Sequence, residues 1–217
     1  MKLFSPDSPV GRVLYLLADL VVLNLLFLFS CMPILTIGAA CGALYDTVHA
    51  MLTGECGPVA RQYFQGFKKC FARGTVLFLI SAAVLAMAFA DLILATGVVG
   101  IMGLACVGVI CGSVIIALGV MAHLPMLVSR NPKERVLMYL REGLMLAVRN
   151  SWRTLVAVAL NLFVPVLFLF VPELFMQTWM FWFLVGFGAV AYVNNWLLLR
   201  GVDPECWEQL KPVKKEQ

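Results

Sequence analysis

Residues 30–51 read SCMPILTIGAACGALYDTVHAM, and the path of this stretch decides the fold of the chain. The stretch is too long and too apolar for a loop, yet its polar end makes it weaker than an ordinary membrane span. It forms either a helix that crosses back through a membrane or a re-entrant helix that turns around inside one. The choice fixes the side of the membrane on which every charged segment lies.

The composition predicts an integral membrane protein. Of the 217 residues, 62% are hydrophobic and 13% are charged, and the mean hydropathy is +0.95. Soluble domains carry about 25% charged residues. The apolar runs approach the roughly 20 residues of a spanning helix, whereas barrel strands alternate over about ten residues. We therefore expect an all-α membrane bundle over residues 1–200 and a cytoplasmic tail over 201–217.

Five spans are plain from the apolar runs, and the quoted stretch supplies a sixth. Pro33 suits the first helical position, where its missing N–H costs nothing, and Gly54 suits the C-terminal stop. The predicted spans, paired as three hairpins, are residues 12–31, 33–52, 75–95, 98–122, 154–172 and 178–199.

The basic residues favour six spans over the alternative of five spans plus a re-entrant helix. With six spans, all 16 Lys and Arg residues fall on one side of the membrane. Flanking Lys and Arg mark the cytoplasmic side, so both termini are predicted to be cytoplasmic. With five spans, Lys2 and Arg12 lie opposite the remaining 14 basic residues, which is a weaker but acceptable split.

Small residues explain how a weakly apolar helix crosses a membrane. Gly38 and Gly42 form a Gly-x-x-x-Gly pattern, which lets a neighbouring backbone approach closely and shield the helix from lipid. A second such pattern, Gly108 and Gly112, predicts another packing seam in the fourth span.

Two basic segments between spans have an amphipathic pattern. In residues 61–74, RQYFQGFKKCFARG, aromatic side chains share one face and basic side chains surround it. In residues 131–149, Asn131 and Pro132 suit a helix start, and leucines follow at helical spacing. We expect both segments to be cytoplasmic helices lying along the inner membrane surface.

Four polar residues at membrane depth form a candidate site: Asp19, Asn24, Asp46 and His49. At a rise of 1.5 Å per residue, Asp19 and Asp46 lie about 4.5 and 6 Å from the middle of their spans, both toward the cytoplasm. An ionisable residue at such a depth requires a partner or a function. One interpretation is an ion- or proton-linked site. The other is a set of interhelical hydrogen bonds in which Asp46 pairs with His49.

Catalytic motifs are absent from the sequence. No phosphate-binding glycine loop, nucleophile elbow or zinc-protease motif is present, and two distant histidines give no metal site. The longest cytoplasmic segment has about 30 residues, fewer than the roughly 40 that an independent fold requires. We expect no enzyme activity, no cofactor and no nucleic-acid partner.

The first third of the chain resembles a known family. The stretches that carry the resemblance are Asn24–Phe27, Met32–Ala40, Ala43–Tyr45 and the Tyr63-Phe64-x-x-Phe67-Lys68-x-x-Phe71 pattern. They resemble the YesL family of bacterial integral membrane proteins, whose biochemical function is unknown. The positions of the family-like motif are Pro33, Thr36, Gly38, Tyr45, Phe64, Phe67 and Phe71.

The resemblance implies a role in sugar uptake or its regulation, because similar proteins are often encoded beside carbohydrate ABC transporters. We expect an accessory or regulatory component in the bacterial cytoplasmic membrane. Its partners are then the lipid bilayer and either ABC transporter subunits or further copies of itself. The alternative is a small-solute transporter or channel that uses the polar site of its first two spans.

Overall fold

The structure, a computed structural model, describes residues 9–95, 97 and 100–202. The helices are α1 (Pro9–Cys31), α2 (Ile37–Thr53), α3 (Val59–Ala95), α4 (Ile101–Arg130), α5 (Val136–Arg149), α6 (Ser151–Phe170), α7 (Pro172–Phe181) and α8 (Phe187–Val202). A 3₁₀ turn, Ile34–Thr36, precedes α2, and a π-helical segment, Trp182–Gly186, joins α7 to α8. These ranges contain no strand, so the predicted all-α class is confirmed.

Six stretches are long and apolar enough to cross a membrane, which confirms the polytopic helical bundle. They are Val13–Cys31, Ile34–Thr53, Val59–Ala95, Ile101–Arg130, Ser151–Phe170 and Pro172–Leu199. The second stretch differs from the others in its surroundings: half of its most apolar window is buried, against 22% or less elsewhere. A helix that neighbours shield from lipid needs fewer apolar side chains, which explains the weak signal of the quoted sequence.

Glycines hold α2 close to α3. A Cβ on Gly38 would overlap the carbonyl oxygen of Gly74, and a Cβ on Gly74 would lie 2.7 Å from the carbonyl oxygen of Gly38. One turn further along α2, a Cβ on Gly42 would lie 2.8 Å from the Cβ of Cys70. Only hydrogen fits between the two backbones at these positions, so the glycines set the register of the two helices.

The predicted seam at Gly108 and Gly112 has a different environment. A Cβ on either glycine would meet no atom outside its own helix within 4 Å. The pair therefore makes no close contact with the described part of this chain, and the Gly-x-x-x-Gly pattern on α4 faces outward.

The first amphipathic segment is not a separate surface helix, contrary to expectation. Residues 61–73 belong to α3, which runs for 37 residues without interruption. At 1.5 Å per residue this helix is about 55 Å long, well beyond the roughly 30 Å hydrocarbon layer. Its basic N-terminal half packs against α2, where Tyr63 is completely buried. The prediction failed because the helix continues through Gly74, which packs against Gly38 of α2.

The second amphipathic segment does form a helix of its own, but its start was predicted wrongly. The helix α5 begins at Val136, and residues 131–135 form a turn after α4. The side chain of Tyr139 is buried, and its hydroxyl donates a hydrogen bond to the carbonyl oxygen of Asn131. This bond ties the start of α5 to the end of α4, so that α5 folds back along α4. A Cβ on Gly143 would lie 3.0 Å from the side chain of Val120.

We predict that Gly38→Ala destabilises the protein while Gly108→Ala does not. An added methyl at Gly38 forces α2 and α3 apart, and overpacking of this kind costs about 1–3 kcal/mol. At Gly108 the methyl meets open space, and alanine favours a helix over glycine by up to about 1 kcal/mol. Thermal unfolding of both variants in detergent measures the difference. Equal midpoints would contradict the observed α2–α3 contact.

Candidate functional site: a charged basin

A cavity of about 700 Å³ opens among α2, α3, α5 and the C-terminal end of α4. We call it the basin. It is lined by Asp46, His49, Lys69, Leu127, Ser129, Arg130, Asn131, Glu142, Met145, Leu146 and Arg149. Its volume is in the range of small-molecule sites, about 300–1,000 Å³.

The α2–α3 register places the first charged pair of the basin. The Nζ of Lys69 lies 2.9 Å from Oδ1 of Asp46 and donates a hydrogen bond to it. Gln62 donates a longer bond of 3.4 Å to Oδ2. The carboxylate fits beside α3 because Gly66 faces it, and a Cβ there would lie 3.1 Å from Oδ2. Asp46 is therefore paired with Lys69, a partner that neither interpretation of the sequence included.

His49 contacts the last turn of α4 instead. The Nη2 of Arg130 lies 3.0 Å from Nε2 and 3.2 Å from Nδ1 of the His49 ring. Both side chains are half-buried, so the contact joins α2 to the end of α4 at the wall of the basin.

The remaining charges come from α5. Glu142, Met145, Leu146 and Arg149 follow at spacings of three, one and three residues, which places them on one helical face. That face points into the basin. Lys69 and Asp46 form an ion pair, and the other charged side chains of the described wall are two arginines, Arg130 and Arg149, and one carboxylate, Glu142. Across the described residues no group of three or more His, Cys, Asp or Glu could hold a metal ion.

Asn24, a member of the predicted polar site, lies elsewhere. It is completely buried, and its Nδ2 donates to the carbonyl oxygens of Trp182 and Phe183 at 3.0 and 2.7 Å. Its Oδ1 accepts from the N–H of Gly188 at 2.9 Å. The widened π-helical turn disturbs the regular backbone bonding of the last span, and backbone groups in a membrane require internal partners. Asn24 thus fastens α1 to the last span.

Asp19 does not line the basin either. The structure therefore brings together Asp46 and His49 of the four predicted residues, and separates Asp19 and Asn24 from them. Asp19 lies partly exposed on α1, and its charge acts on Cys56 in the connection between α2 and α3. Burial raises the pKa of the Cys56 thiol above its usual value, and the Asp19 carboxylate raises it further.

A second polar cluster joins α2, α6 and α8. Asn195 donates 2.9 Å to the backbone oxygen of Tyr45, and Asn194 donates 3.1 Å to the side-chain oxygen of Asn161. Asn194 and Asn195 are both completely buried. Their amide oxygens accept no hydrogen bond from the described part of the chain. The cluster ties the last span to the centre of the bundle.

The family-like residues build the first hairpin and its packing on α3. The hydroxyl of Thr36 donates 2.6 Å to the carbonyl oxygen of Ser30, across the turn that contains Pro33. Phe67 lies 6.4 Å from the Tyr63 ring and 5.7 Å from the Phe71 ring, measured between centroids. Phe64 and Phe71 are about half exposed. These residues shape the scaffold beside the basin, and none of the seven lines it.

Sequence reasoning missed Lys69, Arg130, Glu142 and Arg149 as parts of one site. The i, i+3, i+4, i+7 spacing of residues 142–149 marks a shared helical face, and this signal was available. Nothing local shows that this face lines a cavity together with α2, because that arrangement depends on α5 folding back along α4.

One comparison with known proteins gives a match. The family model described as "Protein of unknown function, DUF624" matches residues 20–92, about a third of the chain. The matched part comprises about half of α1, all of α2 and nearly all of α3. No curated protein and no solved structure matches the chain. The match relates the first three helices to that family and carries no information on a ligand or a reaction.

We predict that Asn24→Leu lowers the stability of the bundle. The leucine leaves the carbonyl oxygens of Trp182 and Phe183 and the N–H of Gly188 without their partner. Buried groups left unsatisfied cost on the order of 1–3 kcal/mol each. Thermal unfolding in detergent, compared with Val22→Ala at an exposed position of the same helix, measures the effect. A midpoint equal to that of Val22→Ala would show that Asn24 does not hold the last span.

Proposed function

We propose that this chain is a YesL-like accessory or regulatory component of carbohydrate transport in the bacterial cytoplasmic membrane. It acts without catalysis, by attaching to a transporter such as an ABC system. The observation that carries the proposal is the family match over residues 20–92, since YesL-like proteins carry this domain. The match coincides with the helices that resemble the YesL family in sequence.

The use of polar groups inside the bundle supports a docking role. Asn24 is fully engaged with the backbone of the last span, and Asp46 is paired with Lys69. These contacts join helices to each other and form no continuous row of ionisable groups across the described bundle. An ion-coupled transporter is expected to have such a row as its ion path, so this arrangement favours the docking role.

The outward face of α4 is a surface on which another membrane helix can pack. Gly108 and Gly112 leave open space above the backbone, and large apolar side chains such as Val109 and Ile115 lie exposed near them. In a bilayer, small residues at such spacing permit close helix contacts. An apolar helix of a permease, or a second copy of this chain, can pack on this face.

The second candidate function is small-solute transport by the chain itself. It is favoured by one observation, the presence of Asp46 and His49 in the wall of the same cavity. Ionisable groups near a cavity in a membrane bundle commonly belong to substrate or ion pathways.

The proposed topology places both termini and the basin at the cytoplasmic side. The basic residues support this orientation, because they flank the spans on a single side. One contact keeps the five-span alternative open: α2 lies at the same depth as the basic half of α3, where Lys69 meets Asp46. If α2 crosses the membrane fully, lysines of α3 must reach toward the headgroups to escape the apolar layer.

Purification of a tagged copy from its native membrane in mild detergent tests the proposal. The account predicts that permease or ATPase subunits of a transporter co-purify in stoichiometric amounts and are identified by mass spectrometry. The variant Gly108→Leu, with a bulky side chain on the open face, should reduce their recovery. Gly97→Leu, in the turn between α3 and α4, is the control and should not.

Recovery of the protein alone, together with uptake by proteoliposomes of a small solute such as a sugar, would contradict the accessory role. In that case Asp46→Ala and His49→Ala should abolish uptake. If uptake persists in both variants, the candidate polar site has no part in transport.

We predict that a variant retaining only Cys56 of the seven cysteines is labelled by an impermeant maleimide from the cytoplasmic side. Residue 56 lies in the connection between α2 and α3, at the proposed cytoplasmic end. Because the pKa of the thiol is raised, the thiolate fraction at pH 7 is below that of free cysteine. Labelling should therefore be slow at pH 7 and accelerate as the pH rises toward the raised pKa.

The matched control is Gly97→Cys in a background without other cysteines. Six spans place residue 97 at the outer side, so the two variants should show opposite accessibility in intact cells. Labelling of Cys56 from outside would contradict the proposed topology, in which the connection between α2 and α3 is cytoplasmic.

A further inference from the structure

We propose that the basin binds a phosphate-bearing anion through Arg130, Arg149 and Lys69. This ligand would be either a soluble phosphate ester or the headgroup of an anionic phospholipid. Its binding does not depend on the proposed transport role.

The charges converge on one cavity from three different helices. Lys69 comes from α3, Arg130 from the last turn of α4 and Arg149 from the last turn of α5. Cations gathered around one cavity repel one another, and anions that offset their charge make the arrangement more favourable. Asp46 offsets Lys69 at 2.9 Å, and Glu142 is the other carboxylate of the wall. Among the described lining residues, basic side chains therefore outnumber carboxylates.

Arginine is the residue that suits phosphate. Its planar guanidinium offers several N–H donors in a fixed fork, which bind phosphate oxygens in pairs. A phosphate group has enough oxygens to accept bonds from two guanidinium groups at once, whereas a single carboxylate has two oxygens. The two arginines therefore favour a phosphate over a carboxylate ligand.

The size and the remaining wall indicate a ligand larger than inorganic phosphate. About 700 Å³ exceeds the space that one phosphate ion fills. Asn131 adds an amide that can bind hydroxyl groups, and Leu127, Met145 and Leu146 add an apolar wall. A phosphate ester with a hydroxylated part suits this mixture. Sugar phosphates and the phosphoglycerol headgroup of phospholipids share that chemistry.

The helices α4 and α5 present their C-terminal ends to the basin, and the partial negative charge of these ends opposes the binding of an anion. The arginines in those last turns therefore offset the helix dipoles as well as contacting the ligand. This double role means that a loss of Arg149 should be tested for stability separately from binding.

The test uses the full chain in phosphatidylcholine nanodiscs and glycerol 3-phosphate as the probe. Calorimetric titration should show binding of glycerol 3-phosphate and none of glycerol at matched ionic strength. Arg149→Gln should weaken binding about tenfold, the effect of losing one charge-assisted hydrogen bond. Arg141→Gln, which removes the same charge from an exposed position of α5 outside the basin, should change it less than twofold.

A second arm distinguishes the source of the phosphate. The protein is extracted from vesicles of equal phosphatidylglycerol and phosphatidylcholine, and native mass spectrometry counts the lipids that remain bound. Retention of phosphatidylglycerol that Arg149→Gln abolishes and Arg141→Gln preserves identifies a lipid headgroup. Binding of glycerol 3-phosphate without such retention identifies a soluble ester.

Two outcomes would overturn the proposal. One is the absence of binding in both arms with a correctly folded protein, verified by unchanged thermal unfolding. The other is an equal loss of binding in Arg149→Gln and Arg141→Gln, because the attraction would then be a general effect of the basic surface.

Discussion

The contact between Gly38 of α2 and Gly74 of α3 is the constraint on which the rest of the structure depends. It brings two backbones so close that neither position accepts a side chain, and it therefore fixes the register of the two helices. That register places Asp46 opposite Gly66 and beside Lys69. It also explains why a helix with weak apolar character can lie within a membrane bundle, since its neighbours cover half of it.

The polar groups of the bundle fall into two classes with different physical roles. Asn24 and the amides around Tyr45 satisfy backbone or side-chain groups of neighbouring helices, and they are completely buried. They join the helices at positions where no water is present to form hydrogen bonds with polar groups. Asp46, His49 and the arginines of α4 and α5 are ionisable and lie around an open cavity. A ligand or a partner can therefore bind to the residues of this second class.

Much of the fold could be predicted from sequence because apolar runs and glycine spacing are local signals. The all-α class and the six candidate spans follow from the first, and the close packing at Gly38 and Gly42 from the second. The continuity of α3 was not predictable from residues 61–74, because the contact of Gly74 with Gly38 of α2 cannot be seen in the local sequence. The role of Asn24 was equally hidden, because the π-helical segment it satisfies lies more than 150 residues away. Asp46 and His49 of the basin were recognisable as candidates from the sequence. Glu142 and Arg149 were not, because they reach the basin only when α5 folds back along α4.

The register of α2 on α3 can be tested most directly by cysteine cross-linking in native membranes. The Cβ of Asp46 would lie 3.3 Å from a Cβ placed on Gly66, close to the separation in a disulfide. In a background without other cysteines, Asp46→Cys combined with Gly66→Cys should cross-link efficiently on mild oxidation, as measured by mass spectrometry of the linked peptides. Asp46→Cys combined with Gln65→Cys, one residue away on an exposed face, should not. Preferential cross-linking to position 65 would contradict the register, and with it the pairing of Asp46 with Lys69 and the structure of the basin.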